Sequence, residues 1–360
     1  MNGHDNHDNT QYNGYNEEEF EPSDPSSSGE FSDSDSDSDS VSGTAGTGSD
    51  SGVVDVDDES IPSYFIERGG RLYHADTTSP YPLPCDGREI QRLNAQHSLL
   101  KNVFGRNYIR QDLVQEVLTD DGSMKVVVDF AHGTGRWAVE MGQQFPHVQF
   151  YGLEIVPITN REHLDNVQFE LNSEISRGTR FDEGSVTIVH ARTVYMTVRN
   201  YYQSIILEAG RILQTGGLYL AGEWGYPAFI GQEPHPNLAQ MGLGQFFNSL
   251  SQCLAPRGIT RLGRDLENLI RNSNLFNPIH VHNVWVPIGP WDPQRQEFGA
   301  RMRRILRRFM SSTKPLLLES SGWTEAQIND LFAVCNTEMT STPRLVMVFH
   351  AICAVRWRGE

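Results

Sequence analysis

Asp129, Gly133, Gly135 and Glu154 are the residues whose types and spacing could do chemistry. Asp129 closes a short apolar run, the two glycines flank Thr134 in the turn that follows, and Glu154 ends the next apolar run, 19 residues after Gly135. Glycine lets a backbone approach a ligand without a Cβ and adopt positive φ. A carboxylate ending the second strand can accept both hydroxyl protons of an unphosphorylated ribose. The chemistry is therefore binding of a nucleoside-bearing cofactor across the carboxyl ends of parallel strands, where strand order reverses. Gly133–Ala138 also satisfies the dinucleotide pattern G-x-G-x-x-A, so a dehydrogenase is a rival reading. For both glycines a tight strand-to-helix turn of any α/β protein is the alternative without a ligand.

Such a site needs strands that end together and helices that cover them. Lys125 to Phe130 is a short run rich in β-branched residues, which predicts a buried strand, and a helix should start near Gly135. VQFYGLEI, NVQFEL and SVTIVHA predict the next three strands. Tyr202, Ile205, Ile206, Ala209, Ile212 and Leu213 form one apolar stripe of a helix that Gly216-Gly217 should stop, before LYLAGEW opens a fifth strand. Upstream, Ile90, Leu93, His97, Leu100 and Phe104 recur at helical spacing between a cap at Asp86 and a stop at Gly105, and a second helix covers about Gln111 to Leu118. About 225–277 reads as a helical insertion with weak signals. Downstream, IHVHNVWVPIG predicts a strand, about Asp292 to Met310 and about Thr324 to Cys335 predict helices, and RLVMVFHAICAV predicts the closing strand. Alternation of strand and helix at this pitch means an α/β fold with a mostly parallel sheet covered on both faces.

The 360 residues carry a formal net charge of -17, and it is unevenly spread. Residues 1–60 hold 17 acidic residues and no Lys or Arg, leaving 29 acidic against 29 basic in the remainder. Residues 1–60 are thus expected to be an acidic, Ser/Asp-rich disordered tail, and 61–360 the folded domain. The Ser-Asp alternation from Ser32 to Ser40 suits acid-directed kinases. Cys85, Cys253, Cys335 and Cys353 lie far apart and form no C-x-x-C pair, so a reduced compartment is expected, without a disulfide scaffold or zinc site. No secretory or transit segment is expected at the N-terminus. Leu345 to Val355 is too short to span a bilayer, and no membrane association is expected. His280 and His282 alternate on one strand face but lack a third ligand. Arg301, Arg303, Arg304, Arg307 and Arg308 interleave with Met302, Ile305, Leu306, Phe309 and Met310. A solvated basic face over a core stripe is the simplest account, and nucleic acid is not an expected partner.

Together these motifs resemble the fungal LaeA-like branch of the class I S-adenosylmethionine-dependent methyltransferases. The resemblance runs from about Tyr73 to Trp357, apart from much of 230–275. It rests on Tyr73-His74, Leu83-Pro84, Asp86, Arg92-Leu93 and Gln96-His97 in the entry segment, on VVVDFAHGTGRWAVEM, on GLEIVPI, on VHAR, on LQTGGLYLAGEW and on WVPIGPW. It implies a Rossmann-like, seven-stranded sheet with an antiparallel last strand, and S-adenosyl-L-methionine as cofactor. Asp129 before the glycines fits that family, and nothing after Glu154 reads as a second nucleotide-binding half, which argues against the dehydrogenase.

By the same resemblance, the cofactor-binding residues would be Asp129, Ala131, Gly133, Gly135, Glu154, Ile155, Asn172, Ser173, His190, Ala191 and Arg192. Gln96 and His97 could cover the cofactor, and Tyr195, Glu223 and Trp224 would neighbour the acceptor, with ordinary packing as the alternative for the aromatics. Ala131 stands where the family has a third glycine, so positive φ there would cost alanine roughly 1–2 kcal/mol. Asn172 and Ser173 replace acidic residues that touch adenine; both still hydrogen-bond a purine edge. Methyl transfer needs mainly geometry, so no obligatory catalytic triad is expected. The implied role is methylation of a small-molecule or protein acceptor in fungal secondary metabolism. The alternative is a weakly or non-catalytic regulator acting through protein partners. Nucleus or cytoplasm is the expected location, nuclear placement by the resemblance alone.

Overall fold

A computed structural model describes residues 57, 59–157, 164–171, 175–229 and 238–357. The acidic segment up to residue 56 lies outside the described residues, as do Asn172 and Ser173.

The described chain opens with a 3-10 turn (Ile61–Tyr64), followed by a hairpin, β1 (Phe65–Arg68) and β2 (Arg71–His74), and then α1 (Gly87–Phe104). Asp86 caps α1 by accepting from the Glu89 N–H at 3.1 Å, and Gly105 ends it at φ 69°, as the sequence pattern predicts. After α2 (Gln111–Val117) come β3 (Lys125–Phe130), α3 (Arg136–Gln144), β4 (Val148–Glu154), β5 (Val167–Leu171) and β6 (Val186–Arg192). A π-helical turn (Tyr202–Leu207) continues as α4 (Glu208–Ile212) into β7 (Leu213–Phe229). The remainder is α5 (Gly242–Leu254), α6 (Asp265–Asn272), β8 (Phe276–Pro287), α7 (Gln296–Ser320), α8 (Glu325–Ser341) and β9 (Leu345–Arg356).

Seven strands form one sheet in the order β5-β4-β3-β6-β7-β9-β8. β3 pairs in parallel with both β4 and β6, β6 with β7, and β9 runs antiparallel to β7 and β8. This is the seven-stranded, mostly parallel sheet with an antiparallel last strand that the sequence resemblance implies, and strand order reverses between β3 and β6. Side chains alternate faces along β3. Val127 packs with Val114, Trp137 and Met141 under α2 and α3, whereas Val128 and Phe130 pack with Ile205, Ile206 and Ala209 on the opposite face. A further core, including Phe246, Met302, Leu306 and Met339, joins α5, α7 and α8 to the sheet. The two faces each bury a complete apolar set, which explains the near-continuous hydrophobic runs of the central strands.

Three boundaries differ from the sequence pattern. β7 begins at Leu213, so Gly216, at φ 81°, lies inside a strand instead of stopping a helix. α7 starts at Gln296 rather than Asp292, and it continues past Met310 through Pro315 to Ser320, because Leu316 and Leu317 bury its last turns in the core. α8 continues past Cys335 to Ser341, where buried Met339 extends the stripe. Exposed Arg304, Arg307 and Arg308 and buried Met302, Ile305 and Leu306 divide α7 into the two faces read from its periodicity.

Candidate functional site

At the carboxyl ends of β3, β4 and β6 lies a cavity of about 570 Å3, within the range of small-molecule sites. Asp129, Ala131, Gly133, Glu154, Ile155, His190 and Arg192 all line it. Gly135 and Ala191 do not: Gly135 caps α3 at φ 70°, and the Ala191 side chain is buried with the Val189 cluster on the far face of the sheet. Their neighbours reach the cavity because alternate residues of a strand face opposite ways.

The loop after β3 has the backbone that glycine favours. Ala131 sits at φ 48°, Gly133 at 61° and Gly135 at 70°. Alanine thus occupies a left-handed position, with the corresponding strain. The loop is tied to Glu154, whose Oε2 accepts from the Gly133 N–H at 2.8 Å and whose Oε1 accepts from the Ile155 N–H at 2.9 Å. Strand register explains this proximity, since β3 and β4 run in step from Lys125↔Val148 to Phe130↔Leu153. Behind the loop, the His132 and Phe169 rings pack at 4.8 Å over Gly152, where any Cβ would meet both rings at 2.6 Å.

Asp129 pairs in register with His190, which places both side chains on the α3 face. His190 Nδ1 lies 2.7 Å from Asp129 Oδ1, and Trp137 stacks on the imidazole at 3.7 Å with 9° between planes. Burial lowers the His190 pKa, so the ring is neutral at pH 7 and donates its Nδ1–H to the carboxylate. Next to it, Arg192 donates to Nδ1 of His97 at 2.8 Å, and His97 Nε2 lies 3.2 Å from Glu140 Oε2. Burial first, and then the Arg192 charge, push His97 down to about 3, which keeps it a neutral acceptor. Burial also lowers Arg192 to about 10, and it remains a cation at neutral pH.

Helix α1 lays Gln96 and His97 along the same cavity. Gln96 Nε2 donates to Thr193 Oγ1 at 3.2 Å. Thr193 has φ 59° and, like Trp137, carried no functional signal in the sequence: neither belongs to a spacing pattern, and a left-handed threonine is not a residue-type expectation. Glu223, expected next to the acceptor, is instead fully buried, with Oε1 accepting from the Val194 and Tyr195 N–H groups at 2.8 and 3.0 Å. It holds the chain after β6 in place. His282 packs against Phe104 at 5.9 Å between ring centres, and the described residues contain no cluster of three or more His, Cys, Asp or Glu that could hold a metal ion.

No family model matches the chain. Among curated relatives, "Secondary metabolism regulator laeA" of Coprinopsis cinerea is 26% identical over 74% of this chain and 67% of its own length. "Methyltransferase str3" of Strobilurus tenacellus is 24% identical over 65% of this chain and 79% of its own. "Protein-methionine methyltransferase laeA" of Emericella nidulans is 25% identical over 65% of this chain and 60% of its own. The chain is thus similar, at 24 to 26% identity, to LaeA regulators and to fungal methyltransferases. The chain spans about three-fifths of the length of the Emericella relative and four-fifths of the Strobilurus one.

Proposed function

We propose that this chain transfers a methyl group from S-adenosyl-L-methionine to a small-molecule or protein acceptor in fungal secondary metabolism. The observation that carries the reading is Glu154, a carboxylate ending the strand beside the topological switch and bonded to the Gly133 N–H across the cavity loop. The residues present fit the cofactor. Glu154 would take the ribose hydroxyls, the 131–135 loop would pass beneath, and Ile155 would flank the adenine. Arg192 and Asp129 would meet the carboxylate and ammonium of the methionyl part, with His190 and Trp137 holding Asp129 in place. When bound, the cofactor supplies an electrophilic methyl sulfonium, so orientation by these residues is the main catalytic demand. The relatives' names support the metabolic setting, and the Emericella name makes a protein methionine one acceptor in this class.

A second reading, a regulator with little catalysis that works by binding protein partners, draws on one observation: Asp129 Oδ1 is already engaged by His190. Calorimetry of the full chain with S-adenosylhomocysteine, and NAD as control, separates the two. Micromolar binding of S-adenosylhomocysteine, weakened roughly tenfold or more in Glu154→Ala by loss of charge-assisted bonds, supports the enzyme. A folded chain that binds neither compound removes it.

A further inference from the structure

A second chamber of about 80 Å3 adjoins the cofactor cavity, sharing Tyr81, Leu93, Gln96 and Thr193 with it. Its walls are mainly apolar, with Tyr195, Trp224, Phe247, Phe309, Met196 and Met302 among them. Such a wall accepts flat or flexible apolar ligands without offering them an orientation. Orientation has to come from its few polar groups.

Two of those groups are donors without acceptors. Trp224 Nε1 and Arg261 Nη1 are buried atoms, and neither has a hydrogen-bond partner among the described residues. The Arg261 guanidinium lies between the Tyr226 and Phe247 rings, 3.9 and 4.3 Å from their centres, and its Nη2 donates to the Gly225 carbonyl at 2.7 Å. It makes no ion pair among the described residues. The chamber's other arginine, Arg92, differs: it donates to Glu89 and Gln96 at 2.6 to 3.2 Å. No carboxylate of the described residues lines the chamber. A buried donor left unmade costs about 1–3 kcal/mol, more when charged, so an arrangement of two such donors is matched by an incoming anion.

Resting on the methyltransferase reading, we infer that this chamber is the anchoring subsite for the methyl acceptor, and that the acceptor is an apolar molecule carrying a carboxylate which Arg261 and Trp224 bind. Size supports the division of the molecule. A cavity of about 150 Å3 holds a benzene ring, so 80 Å3 takes a carboxylate with a short stem. The body of the acceptor then extends past Gln96 and Thr193 into the larger cavity, where the methyl donor would lie. Arg261 and Trp224 are binding residues in this scheme and touch no reacting atom.

The test uses the full chain and two probes of one shape, phenylacetate and the uncharged phenylacetamide, titrated with and without S-adenosylhomocysteine. The wild type is expected to prefer phenylacetate by about tenfold or more, the worth of a charge-assisted pair. Arg261→Met should abolish that preference, Trp224→Phe should reduce it, and both should bind S-adenosylhomocysteine as the wild type does. Equal binding of the two probes, binding of neither, or a preference that survives Arg261→Met overturns the inference. If Arg261→Met fails to fold, Trp224→Phe, which keeps the ring, decides it by the same readout. Absent S-adenosylhomocysteine binding would count against the methyltransferase reading alone, because the probe preference is also read without it.

Discussion

His190 Nδ1 stands 2.7 Å from Asp129 Oδ1, on neighbouring parallel strands and beneath the face of Trp137. The pair converts the carboxylate at the end of β3 from a mobile group into one of fixed orientation, because the imidazole is itself clamped by the indole. Asp129→Asn keeps an acceptor oxygen and removes the charge. The difference between a charged and a neutral acceptor is about 1 kcal/mol, and that is the expected loss in urea unfolding. His190 should remain neutral at pH 6.5 in an imidazole nitrogen spectrum of the wild type, with its proton on Nδ1. A half-charged ring at that pH would contradict the assigned direction of donation.

Ala131 tests the loop. At φ 48° it carries a Cβ in left-handed backbone, where L-residues lose roughly 1–2 kcal/mol. Ala131→Gly relieves that strain but frees the unfolded chain, so the net gain should be about 1 kcal/mol, or roughly 2 °C in melting temperature. Glycine restored to a loop of matching φ should leave S-adenosylhomocysteine binding intact or improve it. A lower melting temperature would mean that the alanine methyl makes contacts worth more than the strain.

The fold was largely legible because its strands are buried on both faces and bounded by turns, so short apolar runs at regular spacing stood out. The carboxylate and glycines of the loop were legible for a related reason: their spacing is imposed by one strand, one turn and one helix. Trp137 and Thr193 were not. Their place beside the cavity depends on register between β3 and β6 and on the fold of α1 over the sheet, which no local pattern encodes. Gly135 and Ala191 belonged to the right segments, yet strand alternation and the helix cap turn them from the cavity. Gly216 misled for the opposite reason, since burial of neighbouring side chains overrides a local breaking tendency.

Gly152 faces Asp129 across the β3–β4 pair, and a Cβ there would meet His132 Cδ2 and Phe169 Cδ1 at 2.6 Å. Both atoms belong to rings packed on each other, so neither can swing aside alone. Gly152→Ala is therefore an overpacking change, expected to cost about 1–3 kcal/mol. Because His132 follows Ala131 in the loop, the displaced ring should also weaken S-adenosylhomocysteine binding. Gly184→Ala is the control: unlike Gly152 it has positive φ, but no atom lies within 4 Å of its would-be Cβ and it is far from the loop in sequence, so it should lose stability through backbone strain without loss of binding. Equal effects of the two variants on binding would remove the packing explanation.

Glu223 sets the alkaline side of stability. Burial pushes its carboxyl up to about 8, despite the two backbone N–H groups that favour the charged form. A pKa raised above the unfolded value of 4.5 stabilises fully below pH 4.5, and that contribution is lost as pH rises towards 8. The buried histidines act in the opposite sense. Burial lowers His97 to about 3 and His350 to about 4, so their contribution is complete above 6.5 and is lost as pH falls below it. Each group changes stability by about 1.4 kcal/mol per pH unit within its window. Between pH 4.5 and 6.5 the buried histidines, His190 included, outweigh one carboxyl, so stability rises; above 6.5 Glu223 is still losing its contribution, so stability falls. Urea unfolding at pH 5.5, 6.5 and 8 should therefore peak near pH 6.5. Glu223→Gln keeps an oxygen for the Val194 and Tyr195 N–H groups and removes the ionisation, so its profile should stay level from pH 6.5 to 8. A wild-type-like fall in that variant would assign the alkaline loss to another group.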